Sequence, residues 1–372
     1  MTIKTTRVSQ KKHFYELDLL RFLAALSVVF FHYTFLNATI MPELPRYPYF
    51  SEVFKYGYLG VDLFFIISGF VILLSTANKT ATAFSISRIV RLYPAFWLAV
   101  SMTAFVLWQF PLPNTQGVSF SQYLANLTMV PEYLGVDNID SVYWTLQIEI
   151  KFYFWVFLIM LFNKIQYIER FVFIWLLMGV LEIFHFIHGF THQFLIPEWA
   201  PYFGAGALFY RIHQKGFNWQ RSAMLLLAYV LSIYYAVEGA HHRTEVYADD
   251  FSPLVVALLT SSFFIIFTLM VSKKTTSIKR SWFVLMGFIT YPLYLIHDAI
   301  GQIVFYHLPQ NLNKYLLLFL VVALMIVLSY MIYRYFELGF SKKMKRLLLK
   351  LTESVEARFG KPFVRKGTEY LK

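Results

Sequence analysis

Apolar stretches of about twenty residues recur along the chain, and they limit the possible folds more than any other sequence feature. Each is long enough to cross a hydrocarbon core about 30 Å thick as an α-helix. Hydrophobic residues make up 58% of the 372-residue chain and charged residues only 15%, whereas a soluble domain carries about 25% charged residues. The sequence therefore predicts an all-α, polytopic membrane bundle of about ten transmembrane helices. These helices are predicted at 17–36, 57–76, 89–110, 142–162, 171–190, 199–212, 222–238, 252–271, 282–305 and 315–337.

The basic residues between these stretches predict the orientation. If the N-terminus is cytoplasmic, 26 of the 33 lysines and arginines lie in cytoplasmic segments, as the positive-inside rule expects. Both termini are then cytoplasmic, and we expect a multi-pass protein of the cytoplasmic (inner) membrane. This asymmetry and contact with membrane lipid account for the net charge of +12, so no nucleic-acid partner is expected. The predicted parts are a cytoplasmic tail at 1–13, a transmembrane domain at 14–340 and a basic cytoplasmic tail at 341–372.

The first apolar stretch, LDLLRFLAALSVVFFHYTFL, carries Asp18, Arg21 and His32. Charged groups are costly in hydrocarbon, so they usually face the interior of a bundle and often mark a functional site. Arg21 and His32 are eleven residues apart, which places them on one helix face about 16 Å apart along the axis. The alternative is that Arg21 reaches the cytoplasmic interface and that His32 is a hydrogen-bonded core residue.

Four further segments stand out: YLGVDLFFIISGFVILL (58–74), SRIVRLYPAFW (87–97), WTLQIEIKFY (144–153) and YPLYLIH (291–297). Together with the Arg21–His32 spacing they resemble, in order, the motifs of the acyltransferase-3 family of integral membrane O-acyltransferases. The resemblance extends from about residue 14 to 340. The chain departs from the family pattern at Thr145, where the family has Ser, and at FELG (336–339), where Glu-x-Pro is expected. We expect a stand-alone membrane domain, because no predicted soluble segment could hold the hydrolase-like domain that some relatives carry.

The resemblance implies transfer of an acyl group, acetyl in the simplest case, from acyl-CoA to a hydroxyl of a cell-surface polysaccharide or lipid-linked glycan. The predicted depths place two histidines and two carboxylates in one layer toward the outer face, and three arginines at the inner face. His32 would then deprotonate the acceptor hydroxyl or relay the acyl group, and Glu149 or Asp62 would orient it, while arginine side chains would bind the CoA phosphates. The candidate catalytic residues are His32, Glu149 and Asp62; the candidate donor-binding residues are Arg21, Arg88 and Arg91; further candidates are Tyr93, Trp144 and His297.

Several alternatives remain open from the sequence. The same buried polar residues would suit a multi-pass transporter of a small solute or ion, or the chain could be a lipid-binding or scaffold protein. Arg88 and Arg91 could be ordinary cytoplasmic anchors. The spacing of His185, His188 and His192 suits a metal, but no metal site and no bound cofactor are expected, and acetyl-CoA enters only as a donor substrate. The chain has no cysteine, which excludes a thiol nucleophile. The acceptor, the acyl chain length and the oligomeric state are not readable from the sequence.

Overall fold

The computed structural model describes residues 14–112, 117–272, 280–308 and 312–359. In these ranges the protein is helical and has no strand. The predicted tail at 1–13 and residues 360–372 of the predicted C-terminal tail lie outside the described residues. The predicted domain boundaries, and the cytoplasmic location of both termini, stay predictions.

Fourteen helices are numbered here along the described chain. They are α1 (Tyr15–Ile40), α2 (Pro48–Thr76), α3 (Ala81–Gln109), α4 (Phe120–Asn126), α5 (Ser141–Leu161), α6 (Ile168–Ile183), α7 (Gly189–Leu195), α8 (Ala200–Lys215), α9 (Trp219–Tyr247), α10 (Pro253–Val271), α11 (Ser281–Ile296), α12 (Asp298–His307), α13 (Lys314–Met331) and α14 (Leu338–Phe359). Wide, π-helical turns interrupt α1 at His32–Leu36 and join α13 to α14 at Ile332–Glu337.

A helix is found at each of the ten predicted positions, although α6 ends at Ile183 where the sequence predicted a helix to residue 190. The helices differ in their capacity to cross a membrane. Within the described ranges seven are long and apolar enough to do so by length and composition, and the bent pair α11 and α12 would add an eighth. The helices α6 and α8 have 16 residues each, or about 24 Å of length, which is less than a 30 Å core. The all-helical membrane architecture is therefore confirmed at this coarser level.

The predicted helix at 282–305 is wrong in one respect, because it is two helices that meet at His297 with a bend of 65°. Side-chain groups lie at hydrogen-bond distance from backbone carbonyl oxygens at the break. The His297 ring nitrogen Nδ1 lies 2.8 Å from the Tyr294 carbonyl oxygen, and the Tyr33 hydroxyl donates to the His297 carbonyl oxygen at 2.6 Å. A break at membrane depth is tolerated where such partners are available.

Glycines bring α2 and α8 into close contact. A Cβ atom on Gly69 would overlap the Phe203 carbonyl oxygen, and one on Gly206 would overlap the Ile66 carbonyl oxygen. In lipid there is little hydrophobic drive between helices, so small residues that let two backbones approach stabilise the packing. This crossing fixes the position of α2, which carries Asp62 and Ser68.

Two large groups of buried side chains form the interior. One lies around α2, α5, α6 and α8, and the other around α1, α3, α11 and α13. Val61, Phe64 and Tyr153 pack against both groups. These three residues therefore mark the boundary between the two groups.

Candidate active site

A cavity of about 690 Å³, here called the large cavity, contains His32 in its wall. His32 is 6% exposed and lies at the start of the π-helical turn of α1. Single wide turns of this kind are frequent at functional sites, because the extra residue changes the direction of neighbouring side chains. The same wall contains the carboxylates Asp62, Glu198 and Glu238 and the guanidinium of Arg243. The wall of the large cavity therefore combines an imidazole, three carboxylates and a guanidinium group.

The carboxylate in contact with His32 is Asp298, the first residue of α12. His32 Nδ1 lies 2.7 Å from Asp298 Oδ1, and both side chains are buried. The Gln302 side-chain amide donates to Asp298 Oδ1 at 2.8 Å, and the Ser141 hydroxyl donates to Asp298 Oδ2. The sequence predicted Glu149 or Asp62 as the residue that orients His32, but neither carboxylate lies at ion-pair distance from His32 in this structure. The catalytic roles assigned to Glu149 and Asp62 themselves stay predictions.

Neighbouring residues hold together the π-helical turn of α1, which carries His32, and the start of α12, which carries Asp298. The hydroxyl of Tyr33, the residue after His32, donates to the His297 carbonyl oxygen. A Cβ atom on Gly301 would overlap that hydroxyl, so glycine is required where α12 passes the π-helical turn. The bend at His297 then presents the N-terminus of α12 to α1, and the positive end of a helix favours a carboxylate there.

His297, a further candidate from the sequence, is fully buried beside His32. The centroids of the two imidazole rings lie 4.9 Å apart in an edge-on arrangement. His297 uses Nδ1 on the Tyr294 carbonyl, and its Nε2 is buried without a hydrogen-bond partner. Its geometry fits packing against His32 rather than contact with a substrate.

A second, smaller cavity of about 120 Å³ contains all three candidate donor-binding arginines in its wall, and it is here called the arginine cavity. Arg88 and Arg91 face it from α3 and Arg21 from α1. Arg91 forms an ion pair with Glu337, a residue of the segment where the chain departs from the family pattern. Arg88 lies against rings, with its guanidinium carbon 6.0 Å from the Tyr153 centroid. Within the described ranges no carboxylate lies at ion-pair distance from Arg88.

Glu149 also lines the arginine cavity. Its Oε1 accepts hydrogen bonds from the hydroxyls of Ser68 and, at 2.5 Å, Tyr153. The predicted layer of two histidines and two carboxylates is therefore divided: His32 and Asp62 line the large cavity, and Glu149 lines the other. With three guanidinium groups and one carboxylate in its wall, the arginine cavity has a net positive charge, which suits an anionic group.

The two cavities adjoin at a shared wall. Val61 and Tyr294 line both of them. The Tyr294 hydroxyl is 2.8 Å from the hydroxyl of Thr145, the residue that replaces the family's Ser, and Thr145 lines the arginine cavity. A molecule reaching from the arginines to His32 must pass this wall, here called the partition.

The two aromatic candidates differ in their position. Trp144 lines the large cavity, with its ring centroid 5.3 Å from that of Trp199. Tyr93 lines neither cavity; its hydroxyl donates to the Thr128 carbonyl oxygen at 3.1 Å. Tyr93 therefore supports the segment after α4, and a direct role in catalysis stays a prediction without a supporting contact.

The histidines considered for a metal do not gather around one point. His192 Nε2 lies 3.3 Å from carboxylate oxygens of Glu182 and Glu198, whereas His185 and His188 are exposed. Burial raises the pKa of the Glu198 carboxyl above its ordinary value. Throughout the part of the chain described above, no group of three or more His, Asp or Glu side chains has the arrangement of a metal site.

Sequence reasoning missed Asp298, Ser141 and Gln302 as parts of the site. The available signal was an ionisable residue, Asp298, in the middle of an apolar stretch. Its partner His32 lies far away along the chain, so no local spacing connects the two residues.

A comparison with protein families agrees with this geometry. The acyltransferase-3 model, described as an acyltransferase domain, matches residues 14–334, nearly the whole chain. Neither the curated proteins nor the solved structures contain a match. The family match includes every residue of both cavities and of the partition, and it gives no support to the transporter alternative.

Proposed function

The chain belongs to the acyltransferase-3 family, and from this membership we propose that it is a membrane O-acetyltransferase that uses acetyl-CoA and a carbohydrate hydroxyl. The acyl group would pass from a cytoplasmic donor to an acceptor on the outer side of the inner membrane. The acceptor would belong to a cell-surface polysaccharide or a lipid-linked glycan.

One observation carries the proposal: a basic cavity and a cavity containing a histidine share a single wall. CoA is an anionic carrier with a slender pantetheine arm that ends in the thioester. Arg21, Arg88 and Arg91 around the arginine cavity suit its phosphates. The thioester would then cross the partition at Val61 and Tyr294 to reach His32.

The large cavity suits the acceptor. Trp144, Trp199 and Tyr202 present aromatic faces and edges, and the carboxylate of Asp62 is a hydrogen-bond acceptor for hydroxyl groups. Apolar faces combined with a few polar groups are typical of small-molecule sites. The volume of about 690 Å³ lies within the range of such sites, about 300–1,000 Å³.

His32 would act as the general base. His32 Nδ1 lies 2.7 Å from Asp298 Oδ1, so Nε2 is the ring nitrogen left to accept a proton from the acceptor hydroxyl. The hydroxyl oxygen forms a bond to the thioester carbonyl carbon, the carbon–sulfur bond breaks, and the imidazolium returns the proton to the CoA thiolate. Imidazole suits both transfers, because its ordinary pKa lies near neutral pH.

Release of CoA from acetyl-CoA by the purified protein tests this proposal. The chain has no cysteine, so a thiol reagent reports only the CoA product. We expect the wild-type protein to release CoA, and to do so faster when glycans from the producing cells are added. His32→Ala should lower the rate by about 10²–10⁴-fold, while His188→Ala, an exposed histidine outside both cavities, should leave it unchanged.

An intact thioester in the presence of correctly folded wild-type protein would refute acyl transfer and favour transport. Full activity of His32→Ala would refute only the assignment of the base. Mass spectrometry of surface glycans from cells with and without the protein would identify the acceptor by an added acetyl mass.

A further inference from the structure

The carboxylate in contact with His32 belongs to a residue with no role assigned above. Among the described residues, Asp298 is the only carboxylate at ion-pair distance from His32, with 2.7 Å between Nδ1 and Oδ1. Asp298 is 2% exposed, so it meets no bulk water. A buried carboxylate against an imidazole is costly unless further hydrogen bonds stabilise it.

Those hydrogen bonds are present on both carboxylate oxygens. Gln302, one turn further along α12, donates to Oδ1 at 2.8 Å, and Ser141 donates to Oδ2. Asp298 also begins α12, where the helix N-terminus favours a negative charge. These contacts hold the carboxylate in one position, with Oδ1 beside His32 Nδ1.

Neighbouring acids are engaged elsewhere. Asp140 accepts from the backbone N–H groups of Val142 and Ala299, both at 3.2 Å, so it caps two helix starts. Glu149 accepts from Ser68 and Tyr153 in the other cavity. Asp62 shares the large cavity with His32, but no contact joins the two side chains. Other titratable neighbours of the pair include His297, Tyr33, Tyr143 and Tyr294.

We propose that Asp298 is the positioning residue for His32. Its carboxylate keeps the proton on Nδ1, so that Nε2 is the basic nitrogen, and it stabilises the imidazolium that forms when the acceptor hydroxyl loses its proton. Asp298 touches neither substrate; it acts through His32, and Ser141 and Gln302 act through Asp298. This inference rests on the proposed function, since it needs His32 to be the base.

Steady-state release of CoA from acetyl-CoA tests the inference with Asp298→Asn, which keeps the shape and removes the charge. We expect kcat to fall by about 10²–10⁴-fold with the acetyl-CoA KM unchanged, because the arginine cavity is intact. Asp298→Glu should recover part of the lost kcat. In a double-mutant cycle, Asp298→Asn should lower kcat little further when His32→Ala is already present, since the effects of residues that act as one unit are not additive.

The outcomes separate this inference from the proposed function. No CoA release by the wild-type protein contradicts the proposed function. If the wild-type protein releases CoA and Asp298→Asn has an unchanged kcat, only the role of Asp298 is overturned. The same holds if Asp298→Asn lowers kcat equally in the wild-type protein and in His32→Ala. Coupling of His32 to Asp62→Asn instead would also overturn it.

A second pair of variants keeps the test open if Asp298→Asn does not fold. Gln302→Leu and Ser141→Ala each remove one hydrogen bond to the carboxylate and leave its charge. Each should lower kcat several-fold without changing the acetyl-CoA KM, because a carboxylate held by one hydrogen bond fewer positions His32 less firmly. Wild-type kcat in both variants would overturn the inference.

Discussion

Replacing Arg88 tests the arginine cavity as the donor site. Of the three arginines in its wall, Arg91 is already paired with Glu337, so its removal would leave a buried carboxylate without a partner. Arg88 has no such pair within the described ranges, and its guanidinium packs on the rings of Phe84 and Tyr153. Arg88→Gln therefore removes a charge from the cavity with little cost to folding.

The size of the effect follows from the contact that is lost. A hydrogen bond between a guanidinium and a phosphate oxygen contributes about 1.5–3 kcal/mol, and a factor of ten in affinity corresponds to about 1.4 kcal/mol. We therefore expect Arg88→Gln to raise the KM for acetyl-CoA by about 10- to 150-fold. The kcat should change much less, because Arg88 lies away from His32 and across the partition.

A truncated donor provides the matched control. S-acetylpantetheine has the same thioester but no phosphate, so Arg88→Gln should leave its rate unchanged while the rate with low acetyl-CoA falls. Arg170→Gln, which removes an exposed arginine packed on Tyr167, should affect neither donor. An unchanged acetyl-CoA KM in Arg88→Gln, or the same loss with both donors, would refute the phosphate-binding role.

Three further predictions concern the helix packing, the partition and Tyr93. Gly206→Val should lower the free energy of unfolding by about 1–3 kcal/mol through overpacking. Gly339→Val, where no atom lies near the added Cβ, should lower it less. Thermal unfolding in detergent measures both variants, and equal stabilities would contradict the close crossing of α2 and α8. Val61→Phe should narrow the partition and lower kcat by on the order of 10²-fold, and a wild-type kcat would show that the thioester takes another route. Tyr93→Phe removes only the hydrogen bond to Thr128, so CoA release should stay at the wild-type rate; a loss comparable to that of His32→Ala would place Tyr93 in the chemistry.

The helical architecture was predictable because hydropathy depends on local composition. Apolar windows indicated a helix at each of the ten positions. The Arg88–Arg91 spacing of three residues predicted one shared helix face, and both side chains line the arginine cavity. The break at His297 was not predictable in this way. Its hydrogen-bond partners include Tyr33, which lies elsewhere in the sequence and donates to the His297 carbonyl oxygen.

The partner of His32 shows a second limit of reasoning from depth. Counting residues along a helix estimates the height of a side chain in the membrane, but it does not give the direction in which the helix turns that side chain. Glu149 was expected beside His32 on height alone, and the structure turns it toward Ser68 and Tyr153 instead. Asp298 was overlooked because only the bend between α11 and α12 brings it to α1.

Transfer across a sealed membrane tests the central claim most directly. Vesicles containing the purified protein would enclose acetyl-CoA labelled in the acetyl group, and a mixture of methyl glycosides would be supplied only outside. The two-cavity arrangement predicts labelled glycosides outside, with CoA retained inside, and loss of this labelling in His32→Ala. Labelling only when donor and acceptor share one compartment, or equal labelling in His32→Ala, would contradict the account.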